Sequence, residues 1–293
     1  MKVAIFGRST IDNTSEHIQF LFHKLNEYKT EILIYEPFYN FIKQKMQING
    51  SIKTFKTHDE LVGNVDYMFS IGGDGTFLET LTYVRDSGIP IIGINTGRLG
   101  FLANIAKTEI NKAIESLLHK KIKIEKRSLI TVTSKSKLFG EVNYGLNEIT
   151  ILKKDTSSLI TINAYINGDF LNSYFADGLI VATPTGSTAY SLSCGGPLVM
   201  PCSQNFIITP IASHNLNVRP LVISDDSIIT LKVEGRNSNY LVSLDSRSEV
   251  IDSSIELTLK KADFSANLIQ LENQNFFNTI RNKLLWGLDK RNY

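Results

Sequence analysis

The sequence predicts an α/β domain with a mostly parallel sheet, then an all-β, sandwich-like domain, then a terminal helix that crosses back. Three observations carry this. Up to about residue 122, short apolar runs alternate with stretches of helical spacing, the pattern of a doubly wound parallel sheet. From 123 to 265, strand-like runs follow one another instead. From 266 to 293 the spacing turns helical again at Phe276, Ile280, Leu284 and Leu288, an apolar stripe that must dock, and the first domain is the expected place.

In order, residues 3–6 form a first strand closed by Gly7-Arg8-Ser9, and 16–28 form a helix with Ile18, Leu21, Phe22 and Leu25 on one face. Residues 31–35 and 65–71 are the next strands, while 42–48 takes no assignment. A helix starts at 77–84, and a buried strand over 89–94 runs into Asn95-Thr96-Gly97-Arg98-Leu99-Gly100-Phe101-Leu102. Thr108 is expected to cap a helix carrying Ile110, Ala113, Ile114, Leu117 and Leu118. The second domain reads as strands at 129–133, 145–152, 160–166, 170–174, 179–182, 206–211, 227–233, 240–244 and 255–259. Asn167-Gly168 between two of them is a hairpin signal. There is no internal repeat and no low-complexity linker.

With 293 residues, 42% of them hydrophobic, both domains can bury a core. A net charge of +2 leaves no electrostatic footprint for nucleic acid or an anionic membrane. No apolar run approaches the roughly 20 residues needed to span a bilayer. The opening residues read as a strand rather than an export signal, so the cytoplasm is expected. Cys194 and Cys202 make neither a disulfide framework nor a zinc set, and no metal ligands stand out.

The chemistry concentrates in three places. The first is Ser70-Ile71-Gly72-Gly73-Asp74-Gly75-Thr76-Phe77, a strand-to-helix turn. Such a turn offers backbone N–H groups to a phosphate. A carboxylate there repels phosphate unless it binds a metal ion or accepts a proton from a hydroxyl nucleophile, and both tasks belong to phosphoryl transfer. A tight turn with Asp74 as N-cap reads the same residues. The second is the block from Asp177 to Ser191, followed by Gly195-Gly196-Pro197. Its small hydroxyl residues suit a ribose or an amide, and Tyr190 offers a ring for a base to stack on; a β-turn satisfying its own backbone is the alternative. The third is Asn147-Glu148 inside an apolar strand. Buried, that pair needs partners such as ribose hydroxyls; on an edge strand it would be ordinary surface. Walker, Gly-x-Gly-x-x-Gly and protein-kinase signatures are absent. Arg98 and His214 are weaker candidates: Arg98 reads at least as well as a salt-bridging residue, and His214 reads better as an ordinary loop histidine.

These blocks together resemble the NAD kinase family, in order and spacing and over most of the chain. The glycine motif is shared with diacylglycerol and sphingosine kinases and with 6-phosphofructokinases, whereas the block from Asp177 to Pro197 is far more specific. The resemblance implies transfer of the γ-phosphoryl group of ATP, with a divalent metal such as Mg²⁺, to the 2′-hydroxyl of the adenosine ribose of NAD. Asp74 would be the catalytic base, with Gly72, Gly73, Gly75 and Thr76 on the phosphates of ATP. Asp74, Gly75, Phe77, Asn147, Glu148, Asp177, Thr185, Thr188, Ala189, Tyr190, Ser191, Leu192, Ser193 and Ala212 would form the NAD pocket. A homo-oligomer, dimer or tetramer, is also implied. Phe175 stands where some bacterial members carry a basic residue, and Arg247 where a glutamine is familiar. A lipid kinase would need an apolar entrance where this chain is polar, and a binding module that only reports NAD would gain nothing from the charge of Asp74.

Overall fold

The structure is a computed structural model, and it describes residues 1–9, 15–46, 48, 52–97, 100–154, 159–234, 239–253, 255–272 and 274–287. The chain forms two compact units, one of Met1–Lys126 with Ala266–Tyr293 and the other of Arg127–Ser265.

The first unit runs β1 (Lys2–Gly7), α1 (Ser15–Glu27), β2 (Glu31–Tyr35), α2 (Glu36–Ile42), β3 (Ile52–Phe55), β4 (Tyr67–Gly72), α3 (Asp74–Val84), β5 (Ile91–Asn95) and α4 (Ile110–Leu118). Its strands pair in parallel in the order β5-β4-β1-β2-β3. The chain therefore steps outward from β1 to β3 and returns to β4 on the other side of β1. A crevice at the carboxyl ends of β1 and β4 follows from that reversal, and ligands of open α/β sheets bind there. Ile5, Leu21, Phe38, Ile92, Ile114 and their neighbours form one buried core. Phe6, Tyr35, Phe55 and Tyr83 form an aromatic cluster, with the Tyr83 hydroxyl donating to Tyr35 Oη at 2.7 Å.

Two local expectations are corrected here. Thr108 does not cap α4: it lies within a 3-10 turn, Lys107–Glu109, that leads into the helix. The Glu109 carboxylate instead accepts the Ala106 N–H at 3.2 Å. The region without an assignment contains the end of α2, whose Pro37 stands in the first turn, where its missing N–H costs nothing.

The second unit holds most of β6 (Ile122–Thr133), then β7 (Tyr144–Gly145), β8 (Glu148–Lys153), β9 (Ile160–Ile166), β10 (Asp169–Ala176), β11 (Gly178–Ala182), the short α5 (Tyr190–Ser193), β12 (Asn205–Ile211), β13 (Leu221–Ser224), β14 (Ile229–Glu234), β15 (Asn239–Leu244), β16 (Arg247–Asp252) and the first part of β17 (Glu256–Leu271). One sheet runs β10-β9-β14-β17 with β6 and β7 beside it, and the other runs β13-β12-β11-β8-β15-β16. Ile162 and Leu231 from one sheet meet Ile151, Val181 and Tyr240 from the other in a shared core, which makes the sandwich. Asn167 and Gly168 both take positive φ, 53° and 91°, as a two-residue hairpin between β9 and β10 requires. The expected strand over 145–152 is broken at Leu146-Asn147. β17 runs for 16 residues, well past the expected end at 259, and its last part pairs in parallel with β5 at Leu268 and Ile91. The final helix α6 (Phe276–Leu284) belongs to the first unit and buries Ile280. Leu288 lies outside the described residues.

Candidate active site

In the first unit, β4 ends at Gly72 and α3 begins at Asp74. Gly73 is the N-cap and no side chain caps the helix, so the N-cap reading of Asp74 is overturned. The Asp74 carboxylate turns to the loop after β5 instead. Its Oδ2 accepts the Phe101 N–H at 2.8 Å, and its Oδ1 accepts those of Leu102 and Ala103, both at 3.0 Å. Gly100 makes this possible, because a Cβ there would lie 1.8 Å from Asp74 Oδ1. Lys283 Nζ, on α6, lies 3.9 Å from Asp74 Oδ2 and 4.6 Å from the centroid of the Phe101 ring. The Asp74 side chain keeps 32% of its exposure. Around it, Arg8 donates to the Gly75 carbonyl at 3.2 Å and pairs with Glu79 at 2.5 Å. Thr76 is buried, and the Thr80 hydroxyl beneath it bonds Ser70 Oγ at 2.8 Å. The Phe77 ring is fully buried and packs under β5. Arg98 lies outside the described residues. A negative group is thus fixed at a helix N-terminus by three amides, at the carboxyl end of a parallel sheet.

In the second unit, Asn147 closes the break and Glu148 opens β8, which pairs with β11 on one side and β15 on the other. The edge-strand reading is therefore overturned, and both residues are buried. The Thr183 hydroxyl donates to the Leu146 carbonyl at 2.5 Å and the Thr183 N–H to that of Asn147 at 2.8 Å. A Cβ at Gly186 would lie 2.1 Å from the Asn147 oxygen, so the polar block lies directly on the Asn147-Glu148 step. From the other side, Asp245 at the turn between β15 and β16 accepts the N–H groups of Leu146, Asn147 and Glu148 at 2.8, 2.8 and 3.2 Å.

Glu148 Oε2 is buried with no hydrogen-bond partner among the described residues. Burial, and then the neighbouring Asp245 charge, push the Glu148 carboxyl up to about 8, against a backbone hydrogen bond from Tyr190. Burial also pushes Asp245 upward, but its three amides and Arg247 favour its ionised form. Burial raises both carboxyl groups, and Glu148 stays protonated toward neutral pH. Tyr190 is 39% exposed, and burial raises its hydroxyl together with the charges of Cys194, Asp177 and Glu148, so these groups converge. Asp177 pairs with Lys153 Nζ at 2.5 Å and donates its N–H to Ile211 at 2.9 Å, next to Ala212. Thr185 and Ser191 are buried and bonded internally, to Arg127 at 3.3 Å and to Thr209 at 2.9 Å. Thr188, Ala189 and Leu192 are half-buried, and Ser193 is exposed. Arg247 bonds the carbonyls of Val142 and Tyr144, and His214 sits edge-on to Phe175. Sequence reasoning assigned no role to Lys153, Arg127, Asp245 or Lys283, whose partners all lie far along the chain. Among the described residues there is no cluster of three His, Cys, Asp or Glu that could hold a metal.

A glycine-flanked carboxylate at the carboxyl end of β4, with an open parallel sheet behind it, lies where ligands of such sheets bind, and its chemistry suits phosphoryl transfer to a hydroxyl. Family models for the ATP-NAD kinase N-terminal domain and C-terminal domain match residues 13–122 and 146–271. NAD kinases of Cytophaga hutchinsonii and Flavobacterium psychrophilum are 48% and 49% identical over 292 and 294 residues, covering 100% of each chain. Among solved structures, NAD kinase from Archaeoglobus fulgidus in complex with ATP matches with a TM-score of 0.75 at 26% identity, over 96% of this chain and 99% of that one. Yeast NADH kinase complexed with NADH shares the fold, with a TM-score of 0.88 at 23% identity, over 99% and 89%. The chain belongs to the ATP-NAD kinase family.

Proposed function

We infer that this chain transfers the γ-phosphoryl group of ATP to the 2′-hydroxyl of the adenosine ribose of NAD, giving NADP. The observation that carries the reading is Asp74, held by three loop amides with part of its carboxylate still open. Asp74 accepts the proton of the 2′-hydroxyl as the oxygen–phosphorus bond forms. A carboxylate is a weak base for a ribose hydroxyl, but in a loose transition state the proton moves late. The turn of Gly72, Gly73 and Gly75 takes the phosphates of ATP through its backbone, whereas the Thr76 N–H is already bonded to the Gly73 carbonyl at 3.0 Å and supports the turn instead. With no cluster of ligands among the described residues to hold it, a divalent ion such as Mg²⁺ would arrive with the ATP phosphates and, when bound, would neutralise charge on the transferred group.

Asn147 and Glu148 hold ribose hydroxyls or the adenine of NAD. Glu148, protonated near neutral pH, donates one hydrogen bond and accepts another. Asp177, steadied by Lys153, faces the nicotinamide amide. Tyr190 supplies a stacking face, and Thr188, Ala189, Leu192, Ser193 and Ala212 shape the pocket around it. Thr185 and Ser191 support these groups from the interior of the second unit, and Phe77 packs against Gly93 in the interior of the first. No helix among the described residues is long and apolar enough to cross a membrane. The reading places the enzyme in the cytoplasm as a homo-oligomer.

The test is an assay with ATP, Mg²⁺ and NAD, coupled to an NADP-specific dehydrogenase. NADP forms with all three present and not without ATP. Absence of NADP under these conditions, or equal phosphorylation of diacylglycerol, overturns the reading.

A further inference from the structure

We propose that Asp245 is a positioning residue for NAD: its carboxylate clasps Leu146, Asn147 and Glu148 so that the Asn147-Glu148 side chains are set before the dinucleotide arrives. This rests on the reading of Asn147 and Glu148 as NAD-binding groups. The chain breaks its sheet pairing at this step, between β7 and β8. Three successive amides that a ladder would have used are gathered by one side chain, at 2.8, 2.8 and 3.2 Å. The clasp is reciprocal, since the Asp245 N–H donates to the Glu148 carbonyl at 3.0 Å. Asp245 holds a positive φ of 53°, a strained state for a residue with a side chain. Thr183 fixes the carbonyls of the same step from the opposite side. The step is therefore held on both sides, yet Glu148 Oε2 is left without a partner among the described residues, as a group reserved for a ligand would be.

The groups facing Glu148 are Asp245, the N–H and hydroxyl of Tyr190 and the Cys194 thiol, with Arg247 acting on Asp245. Replacing Asp245 by asparagine keeps the shape, removes the charge and turns an N–H toward one of the three amides. Charge-assisted bonds of this kind carry enough energy for about a tenfold to hundredfold effect.

The experiment compares wild type, D245N and E148Q as full chains. For D245N the expected result is an NAD KM raised by about tenfold or more, an ATP KM within about twofold, and a smaller change in kcat. The inflection of NAD KM against pH also moves below its wild-type position, because a negative neighbour of Glu148 is gone. D245N with wild-type NAD KM and an unmoved inflection overturns the proposal, provided E148Q weakens NAD. E148Q with wild-type NAD KM overturns the underlying reading instead. Should D245N not fold, amide exchange in the wild-type chain decides. Slow exchange at residues 146–148 without NAD supports the clasp, and exchange as fast as an open loop overturns it.

Discussion

Asp74 in the first unit and Asp245 in the second are built alike. Each carboxylate gathers three successive backbone amides from a segment remote in sequence, two on Oδ1 and one on Oδ2. They differ in the fourth neighbour. Asp74 has a lysine ammonium 3.9 Å away, whereas Asp245 has, besides Arg247, a second carboxyl group, Glu148, whose Oε2 has no hydrogen-bond partner among the described residues. The amides set the geometry in both places. Beside Lys283 the arrangement leaves a face of the carboxyl group open to solvent. Beside Glu148 it forces one of two acids to stay protonated.

The largest test of this contrast is Asp74→Asn. If Asp74 is the acting base and not only a clasp, kcat falls by about a hundredfold or more while NAD binding is kept. Near wild-type turnover in steady-state assays would reduce Asp74 to the structural role of Asp245. Gly100→Ala comes next, since its Cβ would displace the Asp74 oxygen from 1.8 Å. A shift on that scale costs about tenfold to a hundredfold in kcat, read in the same assay.

The Glu148 proton gives a stability test. The carboxyl goes from about 4.5 unfolded to about 8 folded, so the folded chain binds the extra proton between those values. Stability from this group is fully present below about 4.5 and is lost as pH rises to about 8. Glu148→Gln removes the linkage: its melting temperature falls less between pH 5 and pH 8, leaving it on the order of a few degrees above wild type at the upper end. A parallel pair of melting curves would contradict the assignment of the proton. The smallest effect is expected from Lys283→Gln. A partly exposed ion pair at 3.9 Å is worth at most about 1 kcal/mol, so kcat changes by about fivefold or less, and less still at high salt.

The sequence discloses the features whose signal is local. Alternating strands and helices, the Asn167-Gly168 turn and the glycines around Asp74 all declare themselves within a few residues. A polar pair inside an apolar run marks Asn147-Glu148 equally well. What stays hidden has no local signal. β3 has four residues, β13 is almost wholly exposed, and β16 alternates around polar side chains. The break at Leu146-Asn147 depends on Asp245, whose bond to Asn147 spans 98 positions. Lys283 reaches Asp74 from the last helix. Thr108 misleads because its residue type suits a cap, whereas the 3-10 turn before α4 moves the helix start beyond it.

The first unit is assembled from two separated pieces of chain, and the strand segment that pairs with β5 belongs to the later piece. During synthesis the ribosome must therefore deliver the whole β-sandwich before that sheet can gain its outermost partner. Until then the edge of β5 is unpaired at Ile91, although Ile105 already pairs with Gly93 and Asn95 further along, and an unpaired edge invites aggregation. Early in the life of each molecule, chaperone protection should matter most for the half that is translated first.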